Sequence, residues 1–147
     1  MKKTNLKIFK ETKLNLIKEQ LINNLGDKII YSNNLDIWFY YEFYAQHVWN
    51  PIPKDRLIGI IQDKYILPNS SYTEQVQIRS VGNYSLAKEL EKELRLKFNG
   101  FKENNDLFIG NNKLYSLKNN SVMNIPQNVK ELNIINYLPY NLEYMNK

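Results

Sequence analysis

Between Trp38 and Trp49, seven of twelve residues are aromatic, and prolines follow at positions 51 and 53. Rings spread over so much of the backbone circumference cannot all face water, so the chain must close around this segment. Read as a helix, it is capped by Asn34 or Asp36. It then carries one stripe of Ile37, Tyr40, Tyr41, Tyr44 and Val48, a second of Trp38, Ala45 and Trp49, and a third of Phe39 and Phe43. Pro51 and Pro53 end it, because proline disfavours the helical conformation of the residue before it. The expectation is a central, largely buried helix. Trp38, Tyr41 and Trp49 are its candidate interaction surface. Trp and Tyr suit protein interfaces, and their rings can also stack on unpaired bases. No Arg, Lys or Gly stands between Ile37 and Trp49, which favours a core or protein-interface role over RNA stacking.

The rest of the chain reads as short alternating elements. Leu14, Ile17, Leu21 and Leu25 share one face at helical spacing, with Thr12 as cap and Gly26 as a left-handed terminator. A short strand is expected over Lys28–Tyr31. The apolar stretch Arg56–Ile66 fits a strand or a short helix, and periodicity does not decide between them. Tyr72–Val81 alternates as a half-buried strand. Leu86, Leu90, Leu94 and Phe98 define a helix started by Ser85 and ended by Asn99-Gly100, with Glu91–Arg95 and Glu93–Lys97 pairs on its outer face. Asp106–Ile109 and Lys113–Leu117 flank Gly110-Asn111-Asn112, whose residues tolerate positive φ, so a β-hairpin is expected. The fold class is therefore α+β: about three helices packed on short antiparallel strands, with an irregular C-terminal extension. The corresponding divisions are a basic arm over 1–13, an α+β domain over 14–120 and an extension over 121–147.

That extension repeats itself. Ile125-Pro126-Gln127-Asn128-Val129-Lys130-Glu131-Leu132-Asn133 recurs thirteen residues later as Leu138-Pro139-Tyr140-Asn141-Leu142-Glu143-Tyr144-Met145-Asn146. The shared Pro-Asn pattern resembles the repeat unit of leucine-rich-repeat-like arrays of the FNIP type. The resemblance implies stacked turns, although two copies are fewer than the three or more a solenoid needs.

Composition bounds the chemistry. With no cysteine among 147 residues, disulfide frameworks, thiolate metal sites and cysteine nucleophiles are excluded. His47 is the single histidine, so neither a histidine metal cluster nor, without a G-x-S-x-G element, a serine triad is expected. His47 reads instead as a packed, hydrogen-bonded side chain. The phosphate cradles G-x-x-x-x-G-K-[ST] and G-x-G-x-x-G are both missing. No metal, cofactor or small-molecule substrate is expected. No run of apolar residues is long enough to span a membrane. Met1-Lys2-Lys3-Thr4-Asn5 is basic but leads into no apolar segment, so a secretory signal peptide is not expected.

The net charge is +5, which attracts phosphate or an anionic surface. Asparagine (22) and lysine (17) abound while arginine (3) and alanine (2) are scarce. That bias is the mark of an AT-rich genome and offers a second, mutational source of the charge. The basic residues concentrate at Lys2, Lys3, Lys7, Lys10, Lys13 and Lys18, and again around the third helix and hairpin, including Lys102.

Asp55, Asp63, Lys64 and Glu74 are close enough in sequence to assemble a Mg²⁺ site. Leu57-Ile58-Gly59-Ile60-Ile61-Gln62-Asp63-Lys64-Tyr65 resembles the signature helix of LAGLIDADG homing endonucleases. The resemblance implies a helix here and metal-dependent DNA cleavage. However, Lys64 stands where that family has its metal-binding acid and Tyr65 where it usually has glycine, which implies a scaffold without that activity.

The functional expectation is a non-catalytic structural or accessory subunit of an RNA–protein assembly, organellar ribosome-like. It would contact RNA through Lys2, Lys3, Lys7, Lys10, Lys13 and Lys102, with protein partners alongside. The alternatives are a stand-alone protein-interaction module and a degenerate metal-dependent nuclease. The expected location is intracellular: an organelle matrix if organelle-encoded, otherwise the cytoplasm.

Overall fold

The computed structural model describes residues 2–69 and 83–138, with side chains from residue 14 in the first segment and from residue 84 in the second. The strand expected over Tyr72–Val81 lies outside the described residues. So does most of the second Pro-Asn unit.

The protein is α+β. Helix α1 (Lys2–Leu25) leads into β1 (Ile29–Ser32), β2 (Ile37–Tyr41) and β3 (Trp49–Ile52), an antiparallel sheet in the order β1-β2-β3. Helix α2 (Lys54–Ile61) follows and runs on into a π-helical turn, Gln62–Ile66. Helix α3 (Asn83–Lys97) precedes the second sheet, built from β4 (Asn104–Gly110), β5 (Lys113–Ser116), β6 (Ser121–Asn124) and β7 (Ile134–Leu138) in the order β6-β5-β4-β7. Its β4–β5 and β5–β6 pairs are antiparallel, while β4 and β7 run parallel with an irregular register between Asn104 and Phe108. Residues 121–138 thus return to the second sheet, by way of a 3₁₀ turn over Val129–Leu132.

The helix expected over Trp38–Trp49 is instead β2, a turn and β3. The physical reason is the placement of the first sheet between two layers. Trp38 packs with Ile17, Leu21, Leu57, Ile61, Leu86 and Leu90 from α1, α2 and α3. On the opposite face, Phe39 and Trp49 pack with Phe101, beside Ile135 of β7. A strand buried on both faces loses the polar alternation that marks a half-buried one, so its sequence imitates an all-round apolar helix. Pro51 is tolerated because β3 is an edge strand. Pro53 serves as N-cap of α2. A third cluster, Val48, Ile109, Leu114, Val129 and Ile134, fills the inner face of the second sheet.

Several local expectations change in the same way. Thr12 is interior to α1, which begins ten residues earlier. Gly26 is not left-handed: its N–H donates to Ile22 O at 2.9 Å, continuing the helix. A Cβ there would fall 2.5 Å from that carbonyl and 3.2 Å from the Phe98 ring, so close approach demands the glycine. Gly100, with φ +87°, is left-handed as expected. Asn111 (φ 50°) and Asn112 (φ 56°) form the β4–β5 turn, matching the two consecutive positive-φ positions of a type I′ hairpin.

Candidate nucleic-acid interface

Helix α1 has two halves. In the second, Leu14, Ile17, Leu21 and Leu25 turn toward the helical core. Extending that line toward the N-terminus, at alternating spacings of four and three residues, gives Lys10, Lys7 and Lys3. These residues lie within one continuous helix, so the lysines fall on the line of the core stripe. Leucine at those spacings can be buried; an ammonium cannot without a large desolvation penalty. Along the sequence, the line that is apolar from Leu14 onward is occupied by lysines before it. Residues 1–18 contain six lysines and one acid, Glu11. At 1.5 Å per residue the helix is about 36 Å long.

Lys18 marks the junction, where its Nζ lies 2.8 Å from Glu93 of α3. Glu93 is thus paired across the helices rather than with Lys97. Lys102 lies exposed on the connection between α3 and β4, where its carbonyl accepts from Asn133 Nδ2 at 3.1 Å. Sequence reasoning passed over Lys130. Its Nζ lies over the rings of Tyr41 (5.6 Å) and Trp49 (5.9 Å), a cation–π arrangement between partners far apart in sequence.

The aromatic candidates are engaged within the fold. Trp38 is 0% exposed and Trp49 is 7% exposed, and Tyr41 is half-buried. Trp49 Nε1 donates to Lys130 O at 2.9 Å. Trp38 Nε1 donates to Glu91 Oε2 at 2.9 Å. Glu91, expected on the outer face of its helix, is 1% exposed. Arg95 Nε approaches its Oε2 to 2.6 Å, by proximity rather than by an aligned hydrogen bond. The Arg95 guanidinium also lies 5.6 Å from the Tyr31 ring centroid. The indole N–H and the guanidinium explain why a carboxylate is tolerated inside. Tyr31 O–H in turn donates to Asp36 Oδ1, and Lys54 Nζ lies 3.1 Å from both Asp36 oxygens.

Two tyrosines on β2 have raised phenol pKa values. Burial is the larger cause for both, with Tyr65 nearby adding to it for Tyr40 and Glu42 for Tyr41.

Of the residues proposed for metal chemistry, Asp55, Asp63 and Lys64 line one cleft of about 270 Å³ with Phe43 and Arg56. Arg56 stands over the Phe43 ring at 5.6 Å, and Tyr84 O–H donates to Asp55 Oδ1 at 3.4 Å. Glu74 lies outside the described residues. Among the described residues, no three His, Cys, Asp or Glu side chains gather to hold a metal. His47 sits in the β2–β3 turn at φ 68°, with its backbone N–H donating to Glu42 Oε2 at 3.0 Å and its Nδ1 3.9 Å from the same oxygen. No described helix is long and apolar enough to cross a membrane.

Comparison with protein-family models, with characterised proteins and with solved structures finds no match to this chain.

Proposed function

We propose that the protein is a non-catalytic accessory subunit of an RNA–protein assembly and touches RNA phosphates through the lysine ridge of α1. The observation that carries the reading is the continuation of the core stripe Leu14, Ile17 and Leu21 as Lys10, Lys7 and Lys3 on one helix. A helix whose sequence spaces cations regularly along one line has a suitable form for tracking a phosphate backbone. Lys102 is a candidate for a separate contact, on an exposed loop.

Binding of the whole protein to a structured RNA over a salt series tests this. Wild-type affinity should fall linearly with log salt. A Lys3→Gln/Lys7→Gln/Lys10→Gln variant should lower that slope by about one for each phosphate no longer neutralised. An unchanged slope in the variant would remove the ridge from the interface.

A second reading, a degenerate nuclease, is favoured by the one cleft that gathers Asp55, Asp63 and Lys64. Metal-dependent cleavage of plasmid DNA that disappears in Asp63→Asn would support it. Absence of cleavage with Mg²⁺ or Mn²⁺ would dismiss it.

A further inference from the structure

The second sheet carries an aromatic pair that neither the core nor the lysine ridge uses. Phe108 of β4 and Tyr115 of β5 are register partners. Their flanking neighbours Ile109 and Leu114 are buried on the inner face. Strand alternation therefore places the pair on the outer face, where both rings are only partly buried. The rings stack at 5.1 Å between centroids with planes 7° apart. A depression of about 360 Å³ opens beside them, bounded also by Leu117, Asn120 and Val122.

The surroundings define the occupant. The register row across the sheet is Val122, Tyr115, Phe108, Asn136, so the rings form a small apolar island next to an exposed asparagine. Lys113 shares this face two residues from Tyr115, with its Nζ donating to Asn124. Lys118 follows in the next turn. Between Asn104 and Asn124 the single acid is Asp106, and its carboxylate is occupied by the Ser116 hydroxyl and the Lys118 N–H. Flat rings accept a base on their faces, asparagine offers both a donor and an acceptor to a base edge, and lysine answers phosphate. A duplex, whose bases are already stacked, cannot use the rings.

We infer that the Phe108–Tyr115 face of the second sheet binds unpaired nucleobases, and that the RNA this protein takes includes a single-stranded segment. The inference rests on the RNA-binding reading above but uses a different surface, so the two fail separately.

The test is fluorescence anisotropy of the full chain with labelled single-stranded oligouridylate, with a duplex RNA and with oligothymidylate. Tyr115→Leu and Phe108→Leu should each weaken single-strand binding about tenfold while leaving duplex binding intact. Tyr115→Phe, which keeps the ring, should bind as wild type does. In the wild-type protein, NMR ring resonances of Phe108 and Tyr115 should move on adding oligouridylate, a readout independent of how the variants fold. Equal affinity for oligothymidylate would assign the site to unpaired bases in general, and preference for oligouridylate would add a ribose contact; both support the stacking face. Leucine variants that bind oligouridylate normally, or ring resonances that stay still, would overturn the inference, and duplex binding through α1 would survive. Wild-type protein that binds none of the three would overturn both proposals.

Discussion

Single side chains hold the least regular parts of this fold. Asn50, 6% exposed, is the clearest. Its Oδ1 accepts from Ala45 N at 3.0 Å, and its Nδ2 lies within hydrogen-bond reach of the carbonyls of Ala45, Val48 and Tyr40. It thereby ties down a turn in which Glu42 and His47 both have positive φ. Asn50→Ala should lower stability by about 1–3 kcal/mol, read from denaturant unfolding, because it strands buried backbone groups. Glu91→Leu should likewise destabilise, since it leaves the Trp38 indole N–H without its acceptor and Arg95 without its counter-charge. Glu91→Gln should be milder because it keeps an acceptor for the indole. The tyrosines of β2 set an alkaline limit. Their folded pKa values lie above the ordinary value of 10.0, so folding favours the protonated phenols. That contribution is fully present below pH 10 and is lost as pH rises toward the folded pKa values. Circular dichroism against pH should show wild type losing stability above that point, with Tyr40→Phe losing less.

At the level of elements, backbone geometry decides more than hydrophobic pattern. Gly26→Ala should lower the melting temperature, because its Cβ would fall 2.5 Å from the Ile22 carbonyl. An exposed glycine replaced inside a helix would normally gain from the same change, so the sign separates close packing from propensity. Positive φ is carried mainly by asparagine: Asn111, Asn112, Asn120 and Asn133 are four of the seven such non-glycine residues among those described. Asparagine tolerates the left-handed region better than most L-residues. In a chain with five glycines, the asparagine bias therefore has a structural use whatever its genetic origin.

The whole molecule is organised by a sheet with two buried faces. Trp38 looks into the helical core and Trp49 into the layer shared with Phe101. Because one sheet serves both, the two layers should unfold together. Urea transitions followed by tryptophan fluorescence in Trp38→Phe and Trp49→Phe variants should each coincide with the far-ultraviolet circular dichroism transition of the same variant. Transitions that separate within one variant would show that the layers melt independently.

Patterns spanning a few residues are legible without coordinates. The amphipathic stripes of α1 and α3, the Asn111-Asn112 hairpin turn and the left-handed Gly100 all follow from local sterics and periodicity, which the sequence contains in full. So does the α+β class. The aromatic segment reads as a helix because burial on both faces erases the two-residue alternation by which a strand is recognised, and only the layer brought from 101–138 makes that burial possible. The inward turn of Glu91 depends on Trp38, fifty-three residues away. The stacked Phe108 and Tyr115 need the hairpin register to bring them together. Sequence by itself determined the amphipathic stripes, the left-handed turns at Gly100 and Asn111-Asn112 and the charge, while tertiary structure decided which faces are covered, because burial is a property of two surfaces and a sequence pattern describes one.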